Sequence, residues 1–515
     1  MTLLNLVLAL PLIGFLVLLL IPRRNESAIR NISVAFALVT FIFSIGLATG
    51  FQSNVPGAQF STDVIWISPP EIHYHVGIDG LSLWLAILTA FLTPICILIS
   101  WRSIDKRVKE FYAFLLLLEF GLIGVFVSLD LFLFYVFWEI SLVPMYFLIG
   151  IWGHERRIYA AVKFFLYTMA GSVLMLTGII FIYNRAGTFN YTAILEMLTA
   201  GRLSFTSGEE LLLFLAFFIA FAIKVPLFPL HTWLPDAHVE APTAGSVMLA
   251  SLMLKMGAYG LVRYCLPMFP QAARRCASWI VVLAIIGIIY GALVAMVQPN
   301  MKKLVAYSSV SHLGFVVLGI FSFTQLGLDG AVYQMLNHGI STGALFILVG
   351  LLYERRHSLA ISDFGGVATA APWLSTVFLI TTLASVGLPT LNNFVGEYLV
   401  LQGAAQANFR WSVFAAIGVI LSACYMLWLY QRVFYGETPE PVASHVGDLK
   451  RREWAALIPL VAMMVWMGVY TPSFLPPVTE ANAAILAQSK MNVRFRVAAQ
   501  PAAPYLTARE VPHAR

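Results

Sequence analysis

The chain has 515 residues, of which 60% are hydrophobic and 11% are charged, and its formal net charge is +6. Soluble proteins carry about 25% charged residues, so this composition excludes an ordinary soluble enzyme and a disordered chain. So small a net charge over this length also provides no basic face for nucleic acid. Several apolar runs exceed the ~18 residues that a spanning helix needs, so we expect an all-α polytopic membrane protein.

The apolar runs predict about 14 transmembrane helices. The first run has neither a basic segment before it nor a small-residue cleavage site after it, so we expect a retained helix rather than a signal peptide. The predicted spans are residues 3–21, 31–50, 81–100, 111–128, 130–152, 163–183, 210–230, 243–264, 278–297, 303–323, 330–353, 373–400, 412–432 and 455–472.

Four segments organise the chain. Residues 1–110 hold three helices and a hairpin loop, and residues 455–515 hold the last helix, a surface helix and a tail. Residues 111–264 and 278–434 each hold five predicted spans. Because five is an odd number, the second five-helix repeat is predicted to be inverted relative to the first.

The lysines and arginines of the loops predict the orientation of the chain. Most of them lie in the odd-numbered loops. By the positive-inside rule these loops face the cytoplasm or matrix. Both termini are therefore predicted on the opposite side, which is the periplasm for a bacterial inner membrane.

Local patterns predict three further features. The runs TDVIWI and IHYHVGI flank a Pro-containing turn, which indicates a hairpin over residues 60–77 on the side opposite to the basic loops. Residues 478–497 mix apolar and basic positions and predict a surface helix on that same side. Asp130 stands where the fifth span begins and is predicted to be its N-cap.

Six ionisable residues fall at predicted membrane depth. A charge at mid-bilayer costs roughly 2.5–3.5 kcal/mol on insertion scales, so such residues are functional candidates by default. A single Glu–Lys pair can be purely structural, and a histidine can simply join two helices by a hydrogen bond; a set of six is harder to explain in that way. Glu119 is a further carboxylate in an apolar run whose role stays open. The six are Glu139, Lys224, Lys255, His312, His338 and Glu397.

Two of the predicted spans, the seventh and the twelfth, contain helix breakers next to these residues. Lys224 is followed by Pro226, Pro229 and Pro235, and Glu397 is preceded by Gly387, Pro389, Asn392 and Asn393. Irregular backbone at membrane depth is tolerated where it faces protein or a water-filled cavity. Paired broken helices, five spans apart in an inverted repeat, indicate a transport site between the halves.

Three motifs around these residues carry a family resemblance. FAIKVPLFPLHTWLPDAHVEAPTAGSVMLASLMLKMGAYG (221–260), LVAYSSVSHLGF (304–315) and MLNHGISTGALF (335–346) resemble the antiporter-like membrane subunits of respiratory complex I and of Mrp-type cation/proton antiporters. The resemblance covers about residues 70–470. The length, the acidic Glu397 and the run VFWEISLVPMYFLIG favour the M-type subunits of complex I over the L-type.

The resemblance implies proton translocation driven by redox chemistry elsewhere in a complex. It implies that NADH, FMN, iron–sulfur clusters and quinone are bound by other subunits, with no cofactor in this chain. It implies that neighbouring antiporter-like subunits are the main partners and that all six residues transfer protons. Lys224 and Glu139 would form a switch, because burial lowers the pKa of a lysine and a nearby carboxylate raises it. Lys255, His312 and His338 would relay the proton to Glu397, its exit group.

Other functions are weighed against this one. A subunit of an Mrp-type antiporter is the main alternative. A redox enzyme that binds quinone itself lacks a cofactor motif, and the cysteines have no CxxC spacing. A solute carrier would need a substrate-sized cavity. His231, Asp236 and His238 in HTWLPDAH could bind a metal, although a structural and proton-entry role fits the motif better.

Overall fold

The computed structural model describes residues 2–55 and 57–489, and it is built almost entirely of helices. A short hairpin of strands β1 (Gln59–Ile67) and β2 (Ile72–Ile78) follows the second helix. The helices before the middle of the chain are α1 (Leu3–Leu20), α2 (Glu26–Gly50), α3 (Leu83–Ser103), α4 (Val108–Val127), α5 (Leu131–Trp152), α6 (Arg157–Ala186), α7 (Tyr191–Thr199), α8 (Ser207–Lys224), α9 (Trp233–Glu240) and α10 (Thr243–Met268).

The second half continues in the same way, with a 3-10 turn at Ile361–Asp363 and another at Thr471–Ser473. Its helices are α11 (Pro270–Met296), α12 (Met301–Phe321), α13 (Gln325–Arg356), α14 (Val367–Ala370), α15 (Pro372–Val386), α16 (Asn392–Ala407), α17 (Phe409–Phe434), α18 (Glu440–His445), α19 (Arg451–Val469) and α20 (Leu475–Gln488).

Among the described residues, twelve helices are long and apolar enough to cross a membrane. The two remaining predicted spans, the seventh and the twelfth, are the interrupted ones. Helix α8 ends at Lys224 and α9 begins at Trp233, while α15 ends at Val386 and α16 begins at Asn392. The predicted breaks are therefore present.

Some of the predicted breakers lie inside helices rather than in the breaks. Pro235 lies in the first turn of α9, where a missing backbone N–H costs nothing. Asn392 and Asn393 are the first residues of α16. The expectation that these three residues interrupt the helices is wrong, because a helix start accommodates each of them.

The eighth predicted span has an irregularity that the sequence pattern did not reveal. Helix α10 contains two π-helical turns, Leu249–Met253 and Leu261–Cys265, on either side of Lys255. Each π turn holds an extra residue and widens the helix locally, and such turns are frequent at functional sites. The span accordingly runs to Met268, four residues beyond its predicted end.

The helices form layers of different burial. Helices α10 and α13 are completely enclosed by the rest of the chain, and α12 is almost so. Helices α1, α2, α17 and α19 form the periphery, and about a third or less of the residues in their spans are buried. The three innermost helices are the ones that carry Lys255, His312 and His338.

The predicted hairpin is confirmed. Strands β1 and β2 pair in antiparallel register, with Asp63 opposite His75. Strand β2 is mostly buried, whereas β1 exposes Val64, Ile65 and Trp66 to about half of their surface. The hairpin thus packs against the bundle through one strand and presents the other outward.

The predicted N-cap of the fifth span is also confirmed. The Asp130 carboxylate accepts hydrogen bonds from the backbone N–H groups of Phe132 and Leu133 at 2.9 and 3.0 Å. It also accepts one from the N–H of His73 in β2, at 3.4 Å. One side chain therefore both begins α5 and attaches the hairpin to it.

The predicted surface helix begins earlier than expected, at Leu475, and it packs on its own chain. Asn482 and Thr479 donate hydrogen bonds to the Asp329 carboxylate at 2.8 and 3.0 Å. The Trp84 indole N–H donates to the carbonyl of Phe474, which immediately precedes α20. Residues 490–497 of the prediction, and the tail, lie outside the described residues.

A largely buried ion pair joins the hairpin to α10. The two terminal guanidinium nitrogens of Arg263 contact the two carboxylate oxygens of Asp79, at 2.6 and 2.7 Å. Arg263 also donates to the hydroxyl of Tyr259, which in turn donates to the carbonyl of Phe126. The Arg263 guanidinium therefore has a bidentate partner inside the protein and does not extend to the membrane surface.

This ion pair predicts a large effect of removing one partner. Asp79→Ala leaves the Arg263 charge buried and unpaired, which should cost about 3–5 kcal/mol of stability. We expect a clear drop in the thermal transition temperature of the purified protein. Size-exclusion chromatography after stepwise heating measures that temperature. Asp105→Ala, which removes an exposed carboxylate, is the control.

The double substitution Asp79→Leu with Arg263→Met removes both charges together. It should recover most of the lost stability, since no unpaired charge remains. Equal destabilisation by the single and double variants would show that the ion pair itself is not what holds the two elements together.

Candidate functional site

Five of the six predicted residues are deeply buried. Lys224, Lys255, His312, His338 and Glu397 are each at most 3% exposed, and Glu139 is partly buried. Burial of so many ionisable side chains requires that they contact one another or other polar groups.

Lys255 and His338 are in direct contact. The ammonium nitrogen of Lys255 lies 2.6 Å from Nδ1 of His338. The same nitrogen donates to the backbone carbonyl of Ala250, also at 2.6 Å. Ala250 belongs to the first π turn of α10, so the irregular turn supplies a second partner for the buried ammonium group.

His312 and Glu397 form the second contact. Nδ1 of His312 lies 2.8 Å from Oε1 of Glu397, and the Gln334 amide donates to the same oxygen at 3.1 Å. The rings of His312 and His338 are 5.9 Å apart between centroids. Lys255, His338, His312 and Glu397 therefore form two contacting pairs in one row, which we call the central chain, running from α10 through α13 and α12 to α16.

The break before α16 lies beside the end of the central chain. Gly387 ends α15 with a φ of +81°, a conformation that favours glycine. A Cβ atom at Gly387 would lie 3.3 Å from Oε2 of Glu397. The interrupted backbone thus reaches the Glu397 carboxylate, as the sequence pattern predicted.

Lys224 and Glu139 are arranged differently. Lys224 is the last residue of α8, and its ammonium nitrogen lies 5.2 Å from the ring of Trp138 and 5.5 Å from that of Phe164. Both residues belong to the described part of the chain, and the ammonium nitrogen of Lys224 lies more than 4 Å from the carboxylate oxygens of Glu139. The expected direct contact is therefore not present in this structure, because Lys224 points at two aromatic faces instead.

Helix α8 nevertheless lies tightly against the helix of Lys255. A Cβ atom added at Gly257 would come within 2.6 Å of the Phe221 carbonyl oxygen and 2.9 Å of the Val225 nitrogen. Only glycine permits the backbone of α10 to approach the end of α8 this closely. Lys224 and Lys255 are thereby held on two backbones in direct contact.

The HTWLPDAH motif does not assemble a metal site. Asp236 pairs with Lys163 at 2.7 Å rather than with His231 or His238. Within the described residues no three metal-binding side chains form a cluster. The ring of His238 is fully buried and stacks on Phe346 of α13 at 4.5 Å.

Two further buried groups, His238 and Lys302, lie near the basic end of the bundle, and sequence reasoning missed the second of them. His238 lies in α9, and neither of its ring nitrogens has a hydrogen-bond partner in the described chain. Lys302 is buried and donates to the carbonyl of Ala241 at 2.5 Å. His238 was visible in the motif, but Lys302 was not, because it stands just before the predicted tenth span and was assigned to a loop.

Glu119 lies outside the central chain. Both of its carboxylate oxygens are buried in α4 without a hydrogen-bond partner among the described residues. Among the described residues, Glu119 forms no hydrogen bond or ion pair with any of the six predicted side chains.

Comparison with known proteins identifies relatives along nearly the whole chain. Residues 128–423 match the family described as NADH:quinone oxidoreductase/Mrp antiporter, TM. NADH-quinone oxidoreductase subunit M of Rhodobacter capsulatus is 46% identical over 95% of this chain and 96% of the relative. NADH-ubiquinone oxidoreductase chain 4 of Marchantia polymorpha is 43% identical over 90% of this chain and 93% of the relative.

Solved structures show the same fold. A chain of respiratory complex I from Thermus thermophilus with bound NADH matches with a TM-score of 0.84 and 34% identity, over 94% of this chain and 99% of that chain. A chain of the Mrp complex from Dietzia sp. DQ12-45-1b matches with a TM-score of 0.81 and 21% identity, over 95% and 99%. The chain therefore belongs to the NADH:quinone oxidoreductase/Mrp antiporter transmembrane family and, within it, to the family of NADH-quinone oxidoreductase subunit M.

Proposed function

We propose that this chain is a proton-translocating membrane-arm subunit of NADH-quinone oxidoreductase, or complex I. Oxidation of NADH and reduction of quinone would take place in other subunits, which would hold FMN and the iron–sulfur clusters. This chain would be a non-redox subunit that carries protons. The observation that supports this most strongly is the central chain of four buried ionisable side chains. The chain that holds them is 46% identical to subunit M of Rhodobacter capsulatus.

The chemistry of the central chain suits proton relay. An imidazole can accept a proton at one ring nitrogen and donate from the other. His338 meets Lys255 through Nδ1, and His312 meets Glu397 through Nδ1, so both Nε2 atoms remain for transfer between the two rings. A water molecule between the rings would complete the path. We infer that a proton moves from Lys255 to Glu397 and leaves beside the broken backbone.

Lys224 and Glu139 would act as the switch that precedes the relay. An ammonium group is stabilised over aromatic faces, most strongly by tryptophan. In this structure Lys224 occupies such a position, near Trp138 and Phe164. We infer that this is the open state of the switch, and that in the closed state the ammonium group of Lys224 turns to the carboxylate of Glu139, one residue after Trp138.

The orientation inferred from the loops completes the proposal. Both termini would face the periplasm of a bacterial inner membrane, and the basic loops would face the cytoplasm. Protons would then enter from the end of the bundle that holds His238 and Lys302. The two five-helix halves would be inverted copies that each conduct.

An Mrp-type cation/proton antiporter subunit is the second candidate, because the Dietzia Mrp chain has the same fold. At 21% identity that likeness concerns the fold alone. The relatives at 43–46% identity over at least 90% of this chain are complex I subunits, which favours complex I. Flanking genes for other complex I subunits would separate the two.

The switch predicts that Lys224 must release its proton. Lys224→Ala should lower NADH-driven proton pumping about tenfold or more in the assembled complex. Lys224→Arg should fail as well, since an arginine does not deprotonate in proteins. Pumping is measured by quenching of a pH-sensitive dye in inverted membrane vesicles, with assembly checked by native electrophoresis.

Glu139→Gln is the partner variant, and Glu155→Gln, which changes an exposed loop carboxylate, is its control. Glu139→Gln should reduce pumping and the control should not. Wild-type pumping in an assembled Glu139→Gln complex would rule out the switch.

The exit role of Glu397 predicts a difference between two conservative changes. Glu397→Gln keeps the side-chain size and the hydrogen bonds to His312 and Gln334 but cannot carry a proton. It should lose most of the pumping, whereas Glu397→Asp should retain part of it. If the Gln variant pumps as well as the wild type, Glu397 serves only as a hydrogen-bonding group.

We also infer that the exposed strand β1 contacts a neighbouring subunit. An unpaired strand edge is a template for a partner element, and Ile65 and Trp66 are 59% and 52% exposed beside it. Helix α20 is a poorer site to test, because it packs on its own chain through Asp329.

Ile65→Lys combined with Trp66→Lys should weaken attachment of the neighbour while this chain still folds. Native electrophoresis should show a smaller complex that lacks the adjacent subunit. Glu71→Lys, at the exposed turn of the same hairpin, is the matched control. A complex of full size in the double variant would show that β1 is not an interface.

A further inference from the structure

A basic cavity lies at one end of the bundle, away from the central chain. It has a volume of about 290 Å³ and is lined by the last turn of α3, the end of α13 and the first turn of α19. Its basic lining residues are Arg102, Lys450, Arg451 and Arg452. It lies at the same end as the basic loops.

The cavity has more positive than negative charge available to a ligand. Of its two carboxylates, that of Glu453 is bound by Arg355 at 2.7 Å and by the backbone N–H of Lys450 at 2.8 Å. The second carboxylate of the cavity is that of Glu354. The guanidinium groups of Arg102 and Arg451 make no hydrogen bond within the described part of the chain and are exposed. A helix N-terminus, that of α19, adds a partial positive charge.

The floor of the cavity is apolar, and its surroundings mark the membrane interface. Leu98, Ile99 and Leu351 line the floor. Arg452 lies 5.1 Å from the ring of Trp101, and Trp373 stacks edge-on against Trp454 nearby. Tryptophan is enriched where the headgroups meet the hydrocarbon. The cavity is therefore amphipathic and lies at headgroup depth.

An exposed apolar stripe continues from the cavity along α19. Ile458, Val465 and Val469 are 44–64% exposed and follow Arg451 at intervals of seven, seven and four residues. These intervals place all four residues on one face of the helix. At 1.5 Å per residue the stripe is about 27 Å long, close to the thickness of the hydrocarbon.

We propose that this cavity and stripe bind a diacyl phospholipid with an anionic headgroup. The phosphate would be held by Arg102 and Arg451, because arginine offers paired donors to phosphate oxygens. The acyl chains would lie along Ile458 and Val465. A free phosphate would match the charges but would leave the apolar floor and stripe without a partner, and a basic pocket between helices at this level is typical of lipid headgroup sites.

The test uses the whole complex, purified from wild type and from an Arg102→Gln/Arg451→Gln variant. Phosphatidylglycerol is the probe, added in mixed detergent micelles, with phosphatidylcholine and inorganic phosphate as separate arms. Native mass spectrometry counts retained lipid, and intrinsic fluorescence follows thermal unfolding. Arg24→Gln/Arg157→Gln removes two exposed basic residues at the same end, one in the loop before α2 and one at the start of α6, and is the matched control.

Wild type and control should retain phosphatidylglycerol in preference to phosphatidylcholine, with a rise in unfolding temperature that inorganic phosphate does not produce. The Arg102→Gln/Arg451→Gln variant should bind the probe about tenfold more weakly. Arg451→Gln alone, at an exposed position, gives a second reading if the double variant assembles poorly. Equal retention by wild type and variant, stabilisation by inorganic phosphate alone, or loss of a neighbouring subunit with lipid retention unchanged would each overturn the proposal.

Discussion

The cost of enclosing charge in a low-dielectric interior shapes this protein more than any other constraint. Each of the central ionisable groups is stable there only because another polar group meets it. Lys255 contacts His338, and His312 contacts Glu397. These two contacts meet much of the cost of burial, and we propose that the same row of side chains carries protons.

Irregular backbone makes that arrangement possible. In a regular helix the carbonyl groups already accept hydrogen bonds from the helix's own N–H groups. A buried ammonium group therefore needs a place where this helical hydrogen-bond pattern is disturbed. The π turn of α10 offers the Ala250 carbonyl to Lys255, and the break at Gly387 brings open backbone next to Glu397. The close approach at Gly257 then holds α8 against α10. Distortions that would weaken an isolated helix are stabilised here by the surrounding bundle.

Much of this could be predicted from the sequence, and the reasons for the rest are physical. Composition and apolar runs predict the spans, and intramembrane charges together with proline and glycine predict the breaks. The π turns could not be predicted, since residues 249–265 have an ordinary apolar helical pattern. The ion pair of Arg263 with Asp79 could not be predicted, because the two residues are 184 positions apart in the sequence. Lys302 was assigned to a loop, because an apolar-run boundary cannot show that neighbouring helices bury it. The pairing of Glu139 with Lys224 was expected from the family resemblance and from their opposite charges, and the aromatic faces near Lys224 compete with it.

If protons pass along the central chain as proposed, Glu397 changes protonation during turnover. Infrared difference spectroscopy of the complex during NADH-driven turnover measures this directly, through the stretching band of a protonated carboxyl group. The account predicts a carboxyl band in the wild type that is absent in Glu397→Gln and altered when His312, its hydrogen-bond partner, is replaced by glutamine. Identical difference spectra in wild type and Glu397→Gln would contradict it.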